Sequence, residues 1–349
     1  MDKALLLDRQ ILCCPDCRTE LDGALGCSSC GRTLAPGADG IVNALPAAMK
    51  GGHQTKDQIR AAIDATGADA GKVVLFERAF HEEQASYYDK VFADPLPLRE
   101  YYQRMVRRQI WSYVNRQPFV VDLCCGTGKS SMPLVERGIR VVGVDVSREM
   151  LRTYRRKASG NQNLILVHAD ASHPPLRPGS CGAITMIGGL HHIPDRRGSV
   201  SHCCKSLAPG GILILHEPLK TGTSSRLAVL LEDLYAVANP ARVWKAIGRR
   251  VGRRPPPPSP AGTVSDFTPY ERPFTSLKEL HDMLPPEMHA AVLRSQGRVS
   301  FRQFPPYLHG KAGIPLAKLI VAFDNVLSGR RGTDGSGDAL FAVLEKLAS

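Results

Sequence analysis

The stretch VVDLCCGTGKSS, from Val120 to Ser131, decides the fold of this chain. It begins as an apolar, β-branched run, which is typical of a buried strand, and then turns through Gly126 and Gly128 into a helix predicted from Lys129 to Arg137. Glycines allow the backbone to approach a ligand closely and to adopt positive φ. The N–H groups at the start of a helix bind anionic groups. The pattern therefore predicts a loop that holds a nucleotide-like cofactor.

Two familiar phosphate-binding loops match this stretch only in part. A Walker loop needs a glycine five positions before its Gly-Lys-Ser, and Leu123 occupies that place. A dinucleotide-binding loop needs a third glycine, and Ser131 stands there instead. The acidic residue that such loops carry about 20 positions further on is present as Asp145, so a dinucleotide remains an alternative on the loop alone.

Composition limits the class of protein. With 349 residues and 43% hydrophobic residues, the chain is long enough for a full α/β core and one or two smaller modules. It has no apolar run near the ~18 residues that a membrane span needs. The N-terminal MDKALLLDRQILCC has too short an apolar core for a signal peptide. We therefore expect a cytoplasmic protein without a membrane partner.

The formal net charge of +12 indicates either a polyanionic partner or a surface rich in arginine. The basic residues occur in several separate clusters, including YYQRMVRRQIW, TYRRK and KAIGRRVGRR. Nucleic acid is therefore an alternative partner. The sequence gives no basis for assigning an oligomeric state.

Five of the ten cysteines lie in the first thirty residues. Cys14 and Cys17 form one Cys-x-x-Cys pair, and Cys27 and Cys30 form a second. Two such turns can point four thiolates at one ion, which predicts a structural zinc site with no open catalytic position. A redox pair would need a single motif on a βαβ unit. The neighbouring Cys13 is a spare thiol that the pattern does not assign.

Beyond Asp122 the pattern alternates regularly between apolar runs and helical segments. Strands are predicted over Arg140–Val146, Leu164–Ala169 and Cys181–Ile187, and a further strand over ILILHEP. Strands and helices that alternate at this spacing predict a doubly wound α/β fold, with ligands at the carboxyl ends of the strands.

The chain divides into five predicted parts. Within the second, a weak helix is expected from Asp57 to Ala65, and in the last, strands are expected over Val299–Phe304 and Ala339–Leu344. The parts are a zinc ribbon at 8–46, a linker at 47–74, a cofactor-binding core at 75–218, a cap over the site at 219–275 and a C-terminal completion of the sheet at 276–349.

Two resemblances follow from these motifs. CPDC, CSSCGR and GADGIVNALP resemble the Trm112-like zinc ribbon found in front of some bacterial methyltransferases. The larger part of the chain resembles class I S-adenosylmethionine-dependent methyltransferases of the ubiquinone/menaquinone-pathway type. The motifs that carry this resemblance are, in order, DLCCGTG, GVDVS, HADASHPPL, AITMIGGLHHIPD and LAPGGILILHEP. That resemblance implies a seven-stranded Rossmann-like sheet, with S-adenosylmethionine as the cofactor.

The resemblance also implies roles for residues at the strand ends. Asp122 helps to hold the amino group of the cofactor, Asp145 accepts from the ribose hydroxyls, and Asp170 accepts from the adenine amino group. His81 and Tyr88 precede the first strand, where similar enzymes close over the cofactor. Cys124 occupies the first position of the glycine loop, where similar enzymes usually have a small residue. The other predicted cofactor contacts are Gly126, Gly128, Val146, Ala171, Ile187 and Gly188.

The acceptor is less well determined by the sequence. His191 and His192 directly follow the fourth strand of the core, and either is a candidate general base, which Glu217 could orient or replace. The chain lacks the Asn/Asp-Pro-Pro-aromatic motif of enzymes that methylate amino groups of bases and glutamine, which favours oxygen or activated carbon. We expect a small-molecule acceptor, such as a natural-product intermediate. The alternatives are an RNA methyltransferase and a non-catalytic scaffold that binds the cofactor.

Overall fold

The computed structural model describes residues 11–49, 54–91, 97–220, 268–296 and 339–348. The strands are β1 (Val42–Asn43), β2 (Val120–Leu123), β3 (Val141–Asp145), β4 (Leu164–His168), β5 (Cys181–Ile187), β6 (Leu207–Pro218), β7 (Met288–Gln296) and β8 (Ala339–Lys346). The helices are α1 (Lys56–Thr66), α2 (Ala70–Gln84), α3 (Tyr88–Val91), α4 (Pro97–Val114), α5 (Met132–Val135), α6 (Arg148–Ala158), α7 (Arg196–Ser206) and α8 (Leu277–His281). Short 3-10 turns lie at Ala47–Met49 and Leu190–His192.

One sheet joins all eight strands, in the order β1-β4-β3-β2-β5-β6-β8-β7. The strands from β1 to β6 pair in parallel, whereas β8 runs antiparallel to both β6 and β7. Strands β2 to β8 form the expected seven-stranded Rossmann-like sheet, so the predicted fold class is confirmed. The additional strand, β1, belongs to the cysteine-rich module.

The sheet is covered on both faces. Every residue of β2, β3 and β4 is buried, as expected for parallel strands with elements packed on each side. Adjacent residues such as Val120 and Val121 belong to different apolar clusters, because successive side chains in a strand point to opposite faces. One cluster includes Ile110 of α4 and Leu151 of α6, and the other includes Leu34 of the cysteine-rich module.

The cysteine-rich module is attached to the core through specific contacts. Strand β1 pairs with β4 at the edge of the sheet. Asp39 accepts hydrogen bonds from Arg148 at 2.7 Å and from Arg152 at 3.0 Å, both on α6. Arg18 donates to the carbonyl oxygen of Pro174 at 2.9 Å. The module therefore shares both the core and the sheet of the larger domain.

Residues 47–74, predicted as a linker with a weak helix, contain a well-formed α1. Thr55 caps this helix and forms a reciprocal capping box with Gln58. Ile59 and Ile63 are buried in a cluster with Phe76 of α2 and Phe80 of α2. This stretch therefore packs against the structure that follows it.

Three sequence expectations differ in detail. The helix predicted from Lys129 to Arg137 is reduced to α5, and Pro133 lies in its first turn. The penultimate strand among the described residues is Met288–Gln296, whereas the predicted strand at 299–304 lies outside them. Most of the predicted cap, residues 221–267, also lies outside the described residues. Within the described ranges, no helix is both long and apolar enough to cross a membrane.

Candidate active site

The glycine loop after β2 is tightly folded. Cys124, Gly126 and Gly128 have φ values of 54°, 51° and 79°, in the region that favours glycine. A Cβ atom on Gly128 would come within 2.2 Å of the ring of Tyr154 on α6, so only glycine fits there. The N–H of Gly126 donates to Oδ2 of Asp145 at 2.8 Å. The loop is thus held against the end of β3 by the aspartate that was predicted to bind the ribose.

Asp145 is the last residue of β3, Asp170 follows the neighbouring β4, and both face one cavity. Asp145 also accepts the N–H of Ser147 at 2.8 Å, and Asp170 accepts the N–H of Ser172 at 2.8 Å. Burial raises the pKa of both carboxyls. Because a carboxylate has about four acceptor positions, these backbone bonds leave capacity for hydroxyl or amino donors of a ligand. These two acceptors therefore fit the hydroxyl and amino groups of the adenosine part of S-adenosylmethionine.

The cavity beside the glycine loop has a volume of about 90 Å³. A second cavity also borders the glycine loop and shares Tyr88, Cys124, Gly126 and Gly188 with the first. The predicted site residues in the wall of the first cavity are His81, Tyr88, Cys124, Gly126, Asp145, Val146, Asp170, Ala171, Gly188 and His192.

Five other predicted site residues lie outside the wall of the first cavity. Ile187 lines the second cavity. Gly128, His191 and Glu217 are not among the lining residues of either cavity. Asp122 also lies behind the loop, where it is buried, accepts from Thr185 Oγ1 at 2.8 Å and has a pKa that burial raises to about 6. These residues shape the site from behind its walls.

The turn after β5 is held by Glu217 of β6. This fully buried carboxylate accepts the N–H groups of Gly189 at 3.0 Å and Leu190 at 2.9 Å, and it pairs with Nδ1 of His191 at 2.7 Å. Burial opposes the charge, but the hydrogen bonds from His191 and the backbone lower the pKa of Glu217. Glu217 therefore holds both the turn and its first histidine in place.

His192 has a carboxylate partner that the sequence analysis did not identify. Its Nδ1 lies 3.0 Å from Oε2 of Glu77, a buried residue of α2. The same oxygen lies 3.5 Å from Nε2 of His81, and Thr268 donates to the other oxygen at 2.5 Å. Although burial opposes it, hydrogen bonding to His192 and His81 lowers the pKa of Glu77 to about 2. The one signal in the sequence was a Glu four positions before a His on a predicted helix.

The four predicted zinc ligands come together in the cysteine-rich module. Their Sγ atoms all lie within 4.8 Å of one another. Cys14 and Cys30 are 3.6 Å apart, and Cys17 and Cys27 are 3.3 Å apart. A tetrahedral site with Zn–S bonds of about 2.3 Å requires separations of about 3.8 Å. The thiols thus fit a structural zinc ion, whereas Cys13 is turned toward the carbonyl oxygen of Leu176, 3.4 Å away.

Comparison with known proteins identifies the middle of the chain. The family model described as "Methyltransferase domain" matches residues 120–211. The demethylmenaquinone methyltransferase of Clavibacter sepedonicus is 36% identical over 98 residues, which cover 28% of this chain and 40% of that protein. The enzyme of the same name from Staphylococcus epidermidis is 30% identical over 137 residues, 38% of this chain and 54% of that protein. The chain thus spans about half the length of the curated relatives it matches.

Among solved structures, the [4+2]-cyclase SpnF matches with a TM-score of 0.49 and 14% identity, covering 78% of this chain and 96% of that chain. The family match covers β2 to β5 and the start of β6, which include the glycine loop, both strand-end aspartates and the histidine turn. The chain therefore contains a class I S-adenosylmethionine-dependent methyltransferase domain.

Proposed function

We propose that this protein transfers the methyl group of S-adenosylmethionine to an oxygen, or to an activated carbon, of a small-molecule acceptor. The observation that carries the proposal is the cavity, which brings the glycine loop, Asp145, Asp170 and His192 to one place. These groups belong to different strand ends, and their convergence at one edge of a parallel sheet is where α/β proteins bind ligands.

The walls of the cavity supply the cofactor contacts. When bound, S-adenosylmethionine supplies a methyl group on a positively charged sulfur. Asp145 accepts from the ribose hydroxyls, and Asp170 accepts from the adenine amino group beside Ala171. Gly126 leaves room for close approach of the backbone, and Tyr88 covers the ligand from α3. Methyl transfer is an in-line displacement, so rigid positioning by these elements supplies much of the rate.

The turn after β5 carries the group that removes the proton of the acceptor. Nδ1 of His191 is engaged by Glu217, which leaves Nε2 as the atom that accepts a proton. The His192 ring lies next to it, with ring centroids 4.1 Å apart, and opens onto the cavity. We therefore assign His191 as the general base, Glu217 as its positioning residue and His192 as a contact to the acceptor.

Several observations favour a small acceptor over RNA. The matched relatives are named for demethylmenaquinone, a small molecule. The described arginines of the cysteine-rich module and its border are occupied internally: Arg32 pairs with Asp16, Arg177 pairs with Glu20, and Arg18 donates to Pro174. The basic cluster at 245–254 lies outside the described residues. We further propose a structural zinc ion at the four cysteines, a cytoplasmic location and a role in natural-product biosynthesis.

The experiment incubates the purified protein with methyl-labelled S-adenosylmethionine and either cellular RNA or a metabolite extract, followed by mass spectrometry. We expect label in a small molecule and none in RNA. Asp145→Ala should weaken cofactor binding by about tenfold or more, since two hydroxyl contacts are lost. The matched control, Asp64→Ala on the exposed face of α1, should leave it unchanged. Unchanged binding by Asp145→Ala, or label in RNA alone, would overturn the proposal.

A further inference from the structure

We propose that Glu77, His81 and His192 form a binding site for a divalent first-row transition cation in the wall of the cavity. The site itself stands on the geometry of these three side chains. Its role toward the acceptor rests on the proposed function, in which the cation holds the acceptor oxygen beside the methyl donor.

The three donor atoms are spaced as metal ligands are. Oε2 of Glu77 lies 3.0 Å from Nδ1 of His192 and 3.5 Å from Nε2 of His81. All three residues place one ligand atom within 4.8 Å of the others. Bonds of about 2.1 Å to imidazole and carboxylate require neighbouring donors to be separated by about 3.0 Å in octahedral and about 3.4 Å in tetrahedral geometry. One small cation can therefore bind all three with little movement.

Second contacts fix the orientation of these ligands. Nδ1 of His81 lies 3.2 Å from Oε1 of the buried Gln84, which turns Nε2 toward Glu77. Thr268 Oγ1 occupies the other oxygen of Glu77. Glu77 and His81 are four residues apart on α2 and lie on one face of that helix. Partners of this kind orient metal ligands and raise their affinity.

The charge of the cavity also favours a cation. Among the described residues, its lining includes three carboxylates, Glu77, Asp145 and Asp170, and no lysine or arginine. Two imidazoles and one carboxylate suit zinc, cobalt, nickel, iron or manganese better than calcium or magnesium, which prefer oxygen ligands. A cation there would bind an acceptor hydroxyl and lower its pKa, and the neighbouring His191 would take the proton.

The test uses the full chain, purified with zinc in its four-cysteine site, and Co²⁺ as the probe. Metal content is measured by elemental analysis after dialysis, and the affinity for Co²⁺ by calorimetry. Absorption from cobalt–thiolate bonds would reveal exchange into the cysteine site. We expect wild type to retain its zinc and to bind one Co²⁺ through nitrogen and oxygen ligands.

Substitutions test whether the bound Co²⁺ lies at Glu77, His81 and His192. His81→Asn and Glu77→Gln should each weaken Co²⁺ binding by about tenfold or more while leaving the zinc in place. His81→Asn guards against misfolding, because its side chain is only partly buried whereas Glu77 is buried. Glu271→Gln is the matched control: Glu271 lies close to His191 and His192 in a second group of this kind, and its loss should not change the affinity.

Three results would overturn the site: no second ion in wild type, wild-type affinity in folded His81→Asn, or loss of Co²⁺ binding in Glu271→Gln. Binding of S-adenosylmethionine is measured on the same samples. If the cofactor binds but Co²⁺ does not, the metal site fails and the proposed function stands. If the cofactor does not bind, the proposed function fails whatever the Co²⁺ result.

Discussion

His191 and His192 are adjacent in the chain, yet their two carboxylate partners lie on different elements and make different further contacts. Glu217, the partner of His191, lies on β6 within the sheet and also accepts three backbone N–H groups of the turn. Glu77, the partner of His192, lies on α2 outside the sheet and binds a second histidine and Thr268. The Glu217–His191 pair holds the turn after β5 in place, whereas Glu77 and His192 line the cavity. Neighbouring histidines can therefore hold different roles, decided by what packs behind each ring.

The largest effect that would test this difference is on catalysis. His191→Ala should reduce methyl transfer by about 10²- to 10⁴-fold, the usual contribution of a general base. Affinity for S-adenosylmethionine, measured by calorimetry, should be nearly unchanged because His191 is not in the cavity wall. A variant that keeps full turnover at all pH values would remove the base from His191 and transfer that role to His192.

The next effect is on stability. Glu217→Ala should lower the free energy of unfolding by about 2–3 kcal/mol, because it leaves the N–H groups of Gly189 and Leu190 buried without an acceptor. Glu77→Gln should cost less, about 1 kcal/mol, because the amide oxygen still accepts from Thr268. Urea unfolding of both variants measures the difference. Equal losses would mean that the two carboxylates hold the structure to the same extent.

The smallest effect is on the pH dependence of stability. The pKa of Glu217 is lowered in the folded protein from an ordinary value of 4.5, so its charged form stabilises the fold above about pH 4.5. This stabilisation is lost as the pH falls through the lower folded pKa. Unfolding by urea at a series of pH values should show a shallower acid loss in Glu217→Gln than in wild type. Parallel curves would contradict the assignment of a charged Glu217.

The cysteine-rich module is joined to the core beside the site more closely than the sequence indicates. The sequence predicts a ribbon separated from the core by a linker. In the structure, β1 extends the sheet and Arg18 binds the carbonyl oxygen of Pro174, four residues after Asp170. The contact arises only when the chain folds back by more than 150 residues, so no local pattern indicates it.

The central strands could be predicted well from the sequence. Strand β5 was predicted with its observed bounds, and β3 and β4 agree within a residue at each end, because buried parallel strands are nearly continuous apolar runs. Strand β7 was missed: its sequence, MHAAVLRSQ, mixes apolar and charged residues and has an irregular burial pattern. It lies at the edge of the sheet, where one side of the strand is unpaired and the pattern is weaker.

By itself, the sequence determined the central strands, the cofactor loop and the four cysteines, because each depends on residues that are close together in the chain. The aspartates at the strand ends also followed, since the carboxyl ends of parallel strands meet at one edge. Only the tertiary structure decided which carboxylate belongs to which histidine. Glu77 and His192 are 115 residues apart, and Glu217 and His191 are 26 apart. Hydrogen bonds reach about 3 Å, so they depend on how α2 and β6 pack against the turn.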